Sequence, residues 1–343
     1  MNRETFKKIM IDRAVRKGIA DIKKDPERSI RNLVELGEHF ASGRFQKSFF
    51  QLTQKFFADD RSPYYTLIEN TVNQVDSDAL ATMGINIGYM SWTYGARIIR
   101  RREQESGYNI PWAIYIDYDF ETDVAVDLSK IVAESAVLGI YTFFVFVGEK
   151  TRDVQPLLTA AQIYPDRAFL VYCNSDSYAA TLAESCGALK NVLLSLDCNA
   201  GNRNENVQLL RNSKRLVALH CYYDESNAED ILSGRLIEDL LPLESSLLFF
   251  VPRKNVPMDT RNEVWQYLVR CRLEQTYPIA LIELYSDVNY ADRVISVESC
   301  MAGIRADGMV FTPNGSMEAC NAKRDSLDSI LRRTMPRVQY TEQ

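Results

Sequence analysis

Residues 110–176 constrain the fold more than any other stretch, because apolar strand segments alternate there with amphipathic helical segments. The strand segments are residues 110–117 (IPWAIYID), 140–147 (IYTFFVFV) and 168–173 (AFLVYC). Nearly continuous apolar strands that are separated by helices predict parallel β/α units with helices covering the sheet. In such folds ligands bind at the carboxyl ends of the strands, so the residues just after each strand are the site candidates.

The same alternation continues to residue 285. Further strands are predicted at residues 191–197, 216–222, 247–251 and 279–284. This gives about six β/α units, fewer than the eight of a closed barrel. The sequence therefore predicts an α/β fold with a partial, TIM-barrel-like, parallel (β/α)6-type barrel.

Two further regions flank this barrel, which we expect to span residues 108–290. Residues 1–107 show helical spacing of apolar side chains throughout and predict an all-helical N-terminal domain. Its charged end, residues 97–107, has the composition of a solvated hinge. Residues 291–343 contain Asn314-Gly315, a strong hairpin signal, and predict a small β-hairpin region with a C-terminal helix and a loose tail from residue 336.

Composition and charge exclude several classes of function. The net charge of −6 argues against nucleic acid or an anionic membrane as a partner, and no apolar run of 18 residues exists. Only two histidines are present, so a histidine-rich metal site is excluded, and His220 is interpreted as a partly buried residue at a strand end. The seven scattered cysteines and the lack of an apolar signal core predict reduced thiols in a cytoplasmic protein.

Several segments resemble one family when they are taken together. Residues 109–114 (NIPWAI), 138–149 (LGIYTFFVFVGE), 164–175 (YPDRAFLVYCNS) and 195–197 (SLD) match its first four strands in order and spacing. The chain resembles a radical S-adenosylmethionine (SAM) protein with a helical N-terminal region and a SPASM-like C-terminal region. The resemblance implies that a retained SAM-like ligand would bind Gly148, Glu149, Asn174, Ser195 and Asp197. Lys150, in place of the family's proline, is unfavourable beside the ammonium group of SAM.

The chain departs from this family at the motif that carries the chemistry. Radical SAM enzymes hold a [4Fe–4S] cluster with the cysteines of a CxxxCxxC motif in the loop after the first strand, because soft thiolates ligate the irons. Here residues 117–125 read DYDFETDVA, without a cysteine. A [4Fe–4S] cluster is therefore not expected. The carboxylates of this loop predict a solvated acidic turn or, alternatively, a site for a hard cation; they belong to Asp117, Asp119, Glu121 and Asp123.

The C-terminal region resembles the start of an auxiliary-cluster region through Cys300-x-x-Gly303 and Gly315-x4-Cys320. The further cysteines that would complete such a cluster are missing after Cys320. Two thiolates do not make a four-ligand site, so Cys300 and Cys320 are interpreted as remnant metal ligands. We expect them to lie close together, with a residual disulfide or an intersubunit metal site as the alternatives.

These observations favour a non-catalytic, cluster-less binding protein, a pseudoenzyme that keeps a strand-end pocket. No cofactor is expected, and the partner would be an active radical SAM paralogue or a peptide substrate. A second hypothesis is an enzyme of non-radical chemistry that uses groups near the strand ends, which are Asp117, Glu149, Lys150, Cys173, Asp197 and Glu283. A third is SAM binding without a cluster, although no glycine-rich nucleotide loop is present.

Overall fold

The structure, a computed structural model, describes residues 3–40, 44–296, 298 and 300–337.

The N-terminal region is helical, as predicted. Its elements are α1 (Arg3–Ile22), α2 (Pro26–Phe40), α3 (Arg44–Phe56), α4 (Pro63–Gln74), α5 (Ser77–Gly84), a π-helical segment (Ile85–Gly95) and α6 (Ala96–Ser106). These helices share a core of their own, which includes the buried side chains of Ile19, Ile30, Phe57, Tyr65 and Tyr89.

The next part of the chain alternates strands and helices up to residue 295. The strands are β1 (Ala113–Asp117), β2 (Thr142–Val147), β3 (Ala168–Cys173), β4 (Val192–Asp197), β5 (Ala218–Tyr223), β6 (Leu247–Pro252) and β7 (Ala280–Glu283). The helices are α7 (Leu128–Leu138), α8 (Gln155–Ile163), α9 (Asp176–Ser185), α10 (Arg203–Asn212), α11 (Ala228–Leu232), α12 (Arg235–Leu240), α13 (Met258–Glu274) and α14 (Leu284–Ile295). A short 3-10 turn, Leu241–Leu243, precedes β6.

Three more strands and a helix complete the described chain: β8 (Ala302–Arg305), β9 (Met309–Thr312), β10 (Gly315–Asn321) and α15 (Leu327–Thr334). The sheet order is β10-β9-β8-β1-β2-β3-β4-β5-β6-β7. Strands β1 to β7 are parallel neighbours, and β8 lies parallel beside β1. The α/β fold with a mostly parallel, helix-covered sheet is confirmed: all seven predicted strands are present in parallel order, and an eighth parallel strand, β8, lies beside β1.

Side chains, rather than a neighbouring strand, satisfy backbone groups at the free edge of β7. Arg272 Nη1 donates to the carbonyl oxygen of Leu281 at 2.9 Å, and Asp287 Oδ2 accepts from the backbone N–H of Glu283 at 3.0 Å. Arg272 and Asp287 also form a bidentate ion pair, with N–O distances of 2.6 and 2.8 Å. An edge that is covered in this way does not need another strand, which explains why the sheet ends at β7.

The helical region covers the amino-terminal ends of β2 and β3. Asn86 Nδ2 donates to the carbonyl oxygens of Pro165 and Arg167, both at 2.9 Å, and Ser91 and Thr142 share a hydrogen bond of 2.7 Å between their hydroxyls. Gly95 permits this approach, because a Cβ atom there would lie 2.2 Å from the Gly139 carbonyl oxygen. The carboxyl ends of the strands, where the site is predicted, lie away from this cover.

Most of residues 97–107 are exposed, as expected, but the segment is helical up to Ser106, and its role as a hinge stays a prediction. They lie in α6, where Glu103 is buried with 1% exposure. Its carboxylate accepts hydrogen bonds from the Ile110 N–H (2.9 Å) and the Ser296 hydroxyl (2.5 Å), and it pairs with Arg337 at 3.0 Å. Burial raises the pKa of Glu103 despite these contacts. The ion pair with Glu103 thus holds Arg337 in place. The rest of the predicted tail, residues 338–343, lies outside the described residues.

The division of the chain at residues 107 and 290 stays a prediction. Residues 302–321 extend the main sheet through β8, β9 and β10. Within the described part of the chain, no helix combines the length and the apolar character that crossing a membrane would require.

Candidate functional site

Aromatic rings fill the inner face of the parallel strands. Tyr115 stacks on Phe144 with ring centroids 5.2 Å apart, and Tyr172 stacks on Phe146 at 5.0 Å. Tyr172 also meets His220 edge to face at 5.4 Å. Because Tyr115 and Tyr172 are almost completely buried, this layer is a packed core and not an open cavity.

A buried chain of hydrogen bonds connects the ends of β3, β4 and β5. Ser195 Oγ lies 3.0 Å from His220 Nδ1, His220 Nε2 lies 2.7 Å from Asn174 Oδ1, and Asn174 Nδ2 donates to the Tyr222 hydroxyl at 3.0 Å. If the amide oxygen accepts from Nε2–H, then Nδ1 is the acceptor for the Ser195 hydroxyl. Two of the predicted cofactor residues, Asn174 and Ser195, therefore lie close together. Both are hydrogen-bonded to His220 and do not face an open pocket.

His220 is not the partly buried residue that its sequence position suggested. It is completely buried, with 0% exposure, and burial lowers the pKa of its imidazole to about 3. It is therefore neutral at physiological pH, which suits a ring that donates through one nitrogen and accepts through the other. Sequence reasoning missed its importance because no local pattern encodes the register that aligns His220 on β5 with Asp197 on β4.

Gly148 and Glu149 lie in the turn after β2 and hold neighbouring segments in place. Glu149 Oε1 accepts from the backbone N–H of Asp176 at 3.0 Å, so it binds the amino terminus of α9. A Cβ atom on Gly148 would lie 2.2–2.6 Å from the carboxylate of Asp119, which accepts from the Lys150 N–H at 3.0 Å. A helix N-terminus stabilises a carboxylate in this position, so Glu149 already has a structural partner.

The candidates for non-radical chemistry are also engaged. Asp197 Oδ1 accepts from the Asn199 N–H at 2.8 Å, and Glu283 accepts from the Tyr223 hydroxyl at 2.8 Å and the Ser286 N–H at 2.5 Å. Burial raises the pKa of Glu283, and burial raises the pKa of the Cys173 thiol to about 11. A thiol with a raised pKa is a poor nucleophile, so we base no enzymatic proposal on these groups.

The acidic loop after β1 is tied to its surroundings at three of its four carboxylates. Asp117 faces Arg305 of β8 at 3.7 Å, Asp119 accepts from the Lys150 N–H, and Glu121 pairs with Arg152. Burial raises the pKa of Asp117, and Arg305 opposes this shift. Within residues 3–40, 44–296, 298 and 300–337, no group of three or more His, Cys, Asp or Glu side chains is placed to hold a metal ion.

A cavity of about 590 Å³ lies beside this loop. It is bounded by residues 122–129, by residues 152–156 before and within α8, and by Tyr118, Phe120, Thr159 and Ala306. Its volume is in the range of small-molecule and side-chain binding sites. None of the five predicted cofactor residues lines it, and only the acidic composition of the loop pointed to it in the sequence.

The prediction that all cysteines are reduced is wrong for two of them. Cys198 and Cys221 form a disulfide, with their Cα atoms 5.4 Å apart. They lie just after β4 and within β5, and the pairing of these neighbouring strands brings them together. Their separation of 23 residues gave no indication of this contact.

The prediction that Cys300 lies close to Cys320 is also wrong. Cys320 lies next to Asn321, which pairs with Met309 of β9. Met309 lies across from the carboxyl end of β8. Cys300, in contrast, precedes the first residue of β8. The Cα atoms of Cys300 and Cys320 are therefore separated by the length of β8, which is on the order of 15 Å at about 3.3 Å per residue. Two thiolates that share a metal or a disulfide must be much closer.

The fold of the described residues is similar to that of SuiB, a protein of Streptococcus suis, in two solved structures. The crystal structure of Streptococcus suis SuiB bound to precursor peptide SuiA matches with a TM-score of 0.51 and 11% identity, over 67% of this chain and 67% of that chain. The structure of SuiB bound to S-adenosylmethionine matches with a TM-score of 0.50 and 11% identity, over 78% and 80% of the two chains. No protein-family model and no curated protein matches the sequence. At this identity the likeness concerns the fold alone.

Proposed function

We propose that this chain is a non-catalytic binding protein, a pseudoenzyme that uses a radical-SAM-like fold without an iron–sulfur cluster to bind a peptide partner. The observation that carries the proposal is the state of the loop after β1. It contains no cysteine, and Asp117, Asp119 and Glu121 are bound to neighbouring groups. The residues present do not fit a [4Fe–4S] cluster, which needs thiolate ligands.

The SAM-binding positions argue in the same direction. Glu149 binds the amino terminus of α9, and Asn174 and Ser195 are hydrogen-bonded to His220. A ligand that used Asn174 or Ser195 would have to break hydrogen bonds to the buried His220, which costs about 1–3 kcal/mol for each buried group left unpaired. These residues therefore do not fit SAM in their present arrangement, and SAM binding without a cluster is the less favoured alternative.

The choice of partner rests on the fold likeness. SuiB has been crystallised with its precursor peptide, and its fold resembles this one. A scaffold can keep a peptide-binding surface after its chemistry is lost, since fold alone does not fix function. An active radical SAM paralogue is the alternative partner, and co-purification of such a protein with this chain would favour it.

Isothermal titration of the full chain with SAM tests the proposal. We expect no binding heat at millimolar SAM, because the polar groups at the predicted positions are engaged. Binding with a micromolar dissociation constant would contradict the proposal. The Glu149→Gln variant then serves as the matched control, since loss of that heat in the variant would assign the binding to the family's SAM position.

A further inference from the structure

The helix α1 carries apolar side chains on two faces. One face packs into the core of the helical region, where Ile19 and Ile22 are 4% and 2% exposed. The other face presents Phe6, Ile9 and Met10 to solvent, with exposures of 53%, 36% and 42%. Residues three and four positions apart lie side by side on a helix, so these three side chains form one patch. Single exposed apolar residues are ordinary on a protein surface, but a contiguous patch marks an interaction surface.

Two cations continue the same face toward the carboxyl end of α1. Arg13 and Lys17 are both exposed, and neither has a hydrogen-bond or ion-pair partner among the described residues. Arg16, on the flank of the helix, is by contrast paired with Asp12 and Asp78. No exposed side chain that the structure describes on α1 carries a carboxylate. The α1 face is defined here by its three apolar and two cationic side chains, which are Phe6, Ile9, Met10, Arg13 and Lys17.

The unpaired cations indicate the charge of the partner that covers the α1 face. Arg13 and Lys17 lie four residues apart, a spacing at which like charges repel each other on a helix. A partner carboxylate beside each of them would form an ion pair and relieve this repulsion. The helix has six Lys and Arg against three Asp and Glu in its 20 residues, whereas the whole chain has a net charge of −6. The α1 face is therefore a basic and partly apolar surface on an acidic protein, and it complements an acidic partner.

The order of the groups along α1 favours a peptide over a lipid surface. A helix that lies on an anionic membrane carries apolar residues along its whole length and cations on its flanks. Here the apolar patch ends at Met10, and the cations follow it further along the same face. The net charge of −6 also opposes an anionic membrane. A second helix that is laid along α1 can match this order with apolar residues followed by carboxylates.

We propose that the α1 face binds an acidic amphipathic helical segment of the peptide partner, with apolar side chains against Phe6, Ile9 and Met10 and carboxylates at Arg13 and Lys17. This inference rests on the proposed function, because it states the chemistry of the bound peptide and the place where it docks. The α1 face shares no residue with the loop after β1 or with the five SAM-like positions. The inference and the absence of SAM binding can therefore fail separately.

Fluorescence anisotropy of the full chain with a labelled, capped peptide of sequence EAAAEAALLAALAAEAAAE tests the inference. Its central leucines have the spacing of the apolar patch, and glutamates flank them on both sides, so the peptide matches the α1 face in either direction. We expect saturable binding that weakens with added salt. The peptide in which every glutamate is replaced by lysine should bind about tenfold more weakly, because it loses the ion pairs.

Substitutions on the α1 face should separate its apolar and cationic parts. Phe6→Gln should weaken binding about tenfold, because it removes the aromatic anchor. Arg13→Gln and Lys17→Gln should each weaken it about two- to fivefold, as expected for exposed ion pairs, and should reduce its salt dependence. Lys254→Gln is the matched control, since it removes an exposed cation in the turn after β6 and should leave the affinity unchanged. All four side chains are exposed, and unchanged urea unfolding checks that each variant keeps its fold.

Equal affinity for the glutamate and lysine peptides, or wild-type affinity of Phe6→Gln, would overturn the inference. Co-sedimentation of the chain with phosphatidylserine–phosphatidylcholine vesicles that Phe6→Gln abolishes would also overturn it, because the face would then bind lipid. A concentration-dependent dimer in analytical ultracentrifugation that Phe6→Gln dissociates would assign the face to a second copy of the chain, with the same consequence. If the glutamate peptide binds as expected but SAM also binds, the proposed function fails while the assignment of the α1 face stands.

Discussion

The two halves of the strand-end surface handle their polar side chains in opposite ways. At the ends of β3, β4 and β5, Asn174, Ser195 and His220 bind one another in a buried chain. At the ends of β1 and β2, the polar groups lie in turns beside a cavity, where Asp119 and Glu121 bind neighbouring groups and Asp123 has no partner among the described residues. Polar residues at strand ends are therefore not equally available to a ligand.

Removing His220 should have the largest effect on this comparison. The His220→Leu variant leaves the buried Ser195 hydroxyl and the Asn174 amide oxygen without their partner, and each unpaired group costs about 1–3 kcal/mol. We expect the free energy of unfolding in urea to fall by about 2–4 kcal/mol. Tyr222→Phe, which removes only the terminal hydroxyl of the chain, should cost about 1 kcal/mol. Equal losses in the two variants would show that His220 is not the centre of the network.

The pH dependence of stability should also carry the signature of His220. Burial lowers the pKa of its imidazole to about 3 from the ordinary value of 6.5. Between these values the unfolded chain binds a proton that the folded protein does not, so stability is lost as pH falls below about 6.5. The wild type should lose about 1.4 kcal/mol per pH unit more than His220→Gln. Parallel stability curves for the two proteins would contradict a buried neutral histidine.

Gly148→Ala tests the turn that connects the ends of β1 and β2. The new Cβ atom would meet the Asp119 carboxylate at 2.2–2.6 Å and displace it from the Lys150 N–H. Because a side chain can rotate away, we expect a moderate loss of about 1 kcal/mol in thermal or urea unfolding. Asp119→Asn combined with Gly148→Ala should recover none of it, since the amide has the same size as the carboxylate; full recovery would indicate that charge rather than space is the cause.

Asp123→Asn should have the smallest effect on stability, within about 0.5 kcal/mol, because the side chain is exposed and unpaired. A loss of stability comparable to that of His220→Leu would mean that the two halves of the surface do not differ as described.

The sequence predicted local elements well and long-range pairing poorly. Residues 168–173 and 247–251 were recognised as strands because apolar, β-branched and aromatic runs mark buried strands directly, and the structure has them in β3 and β6. The position of β8 beside β1 depends on contacts between segments almost 200 residues apart, which no local pattern encodes. The Cys198–Cys221 disulfide and the role of His220 depend on the register between the consecutive strands β4 and β5, which no local pattern encodes either.

The predicted site residues stay a prediction, but the contacts that these side chains make in the folded chain could not be foreseen. Residues after the strands were correctly expected at one edge of the sheet, yet composition cannot reveal that Glu149 binds the start of α9 or that Asn174 binds His220. Those facts depend on which neighbour each polar group meets. The cavity was missed because its wall combines segments that are close only in the folded chain, such as residues 122–129 and Ala306.

The central claim, that this fold works without a cluster, is tested most directly by anaerobic reconstitution of the full chain with iron and sulfide. After desalting, iron is counted and the visible absorption spectrum is recorded. The account predicts no stoichiometric iron and no sulfur-to-iron charge-transfer band, because the loop after β1 supplies carboxylates instead of thiolates. A stoichiometric cluster with that band would contradict it.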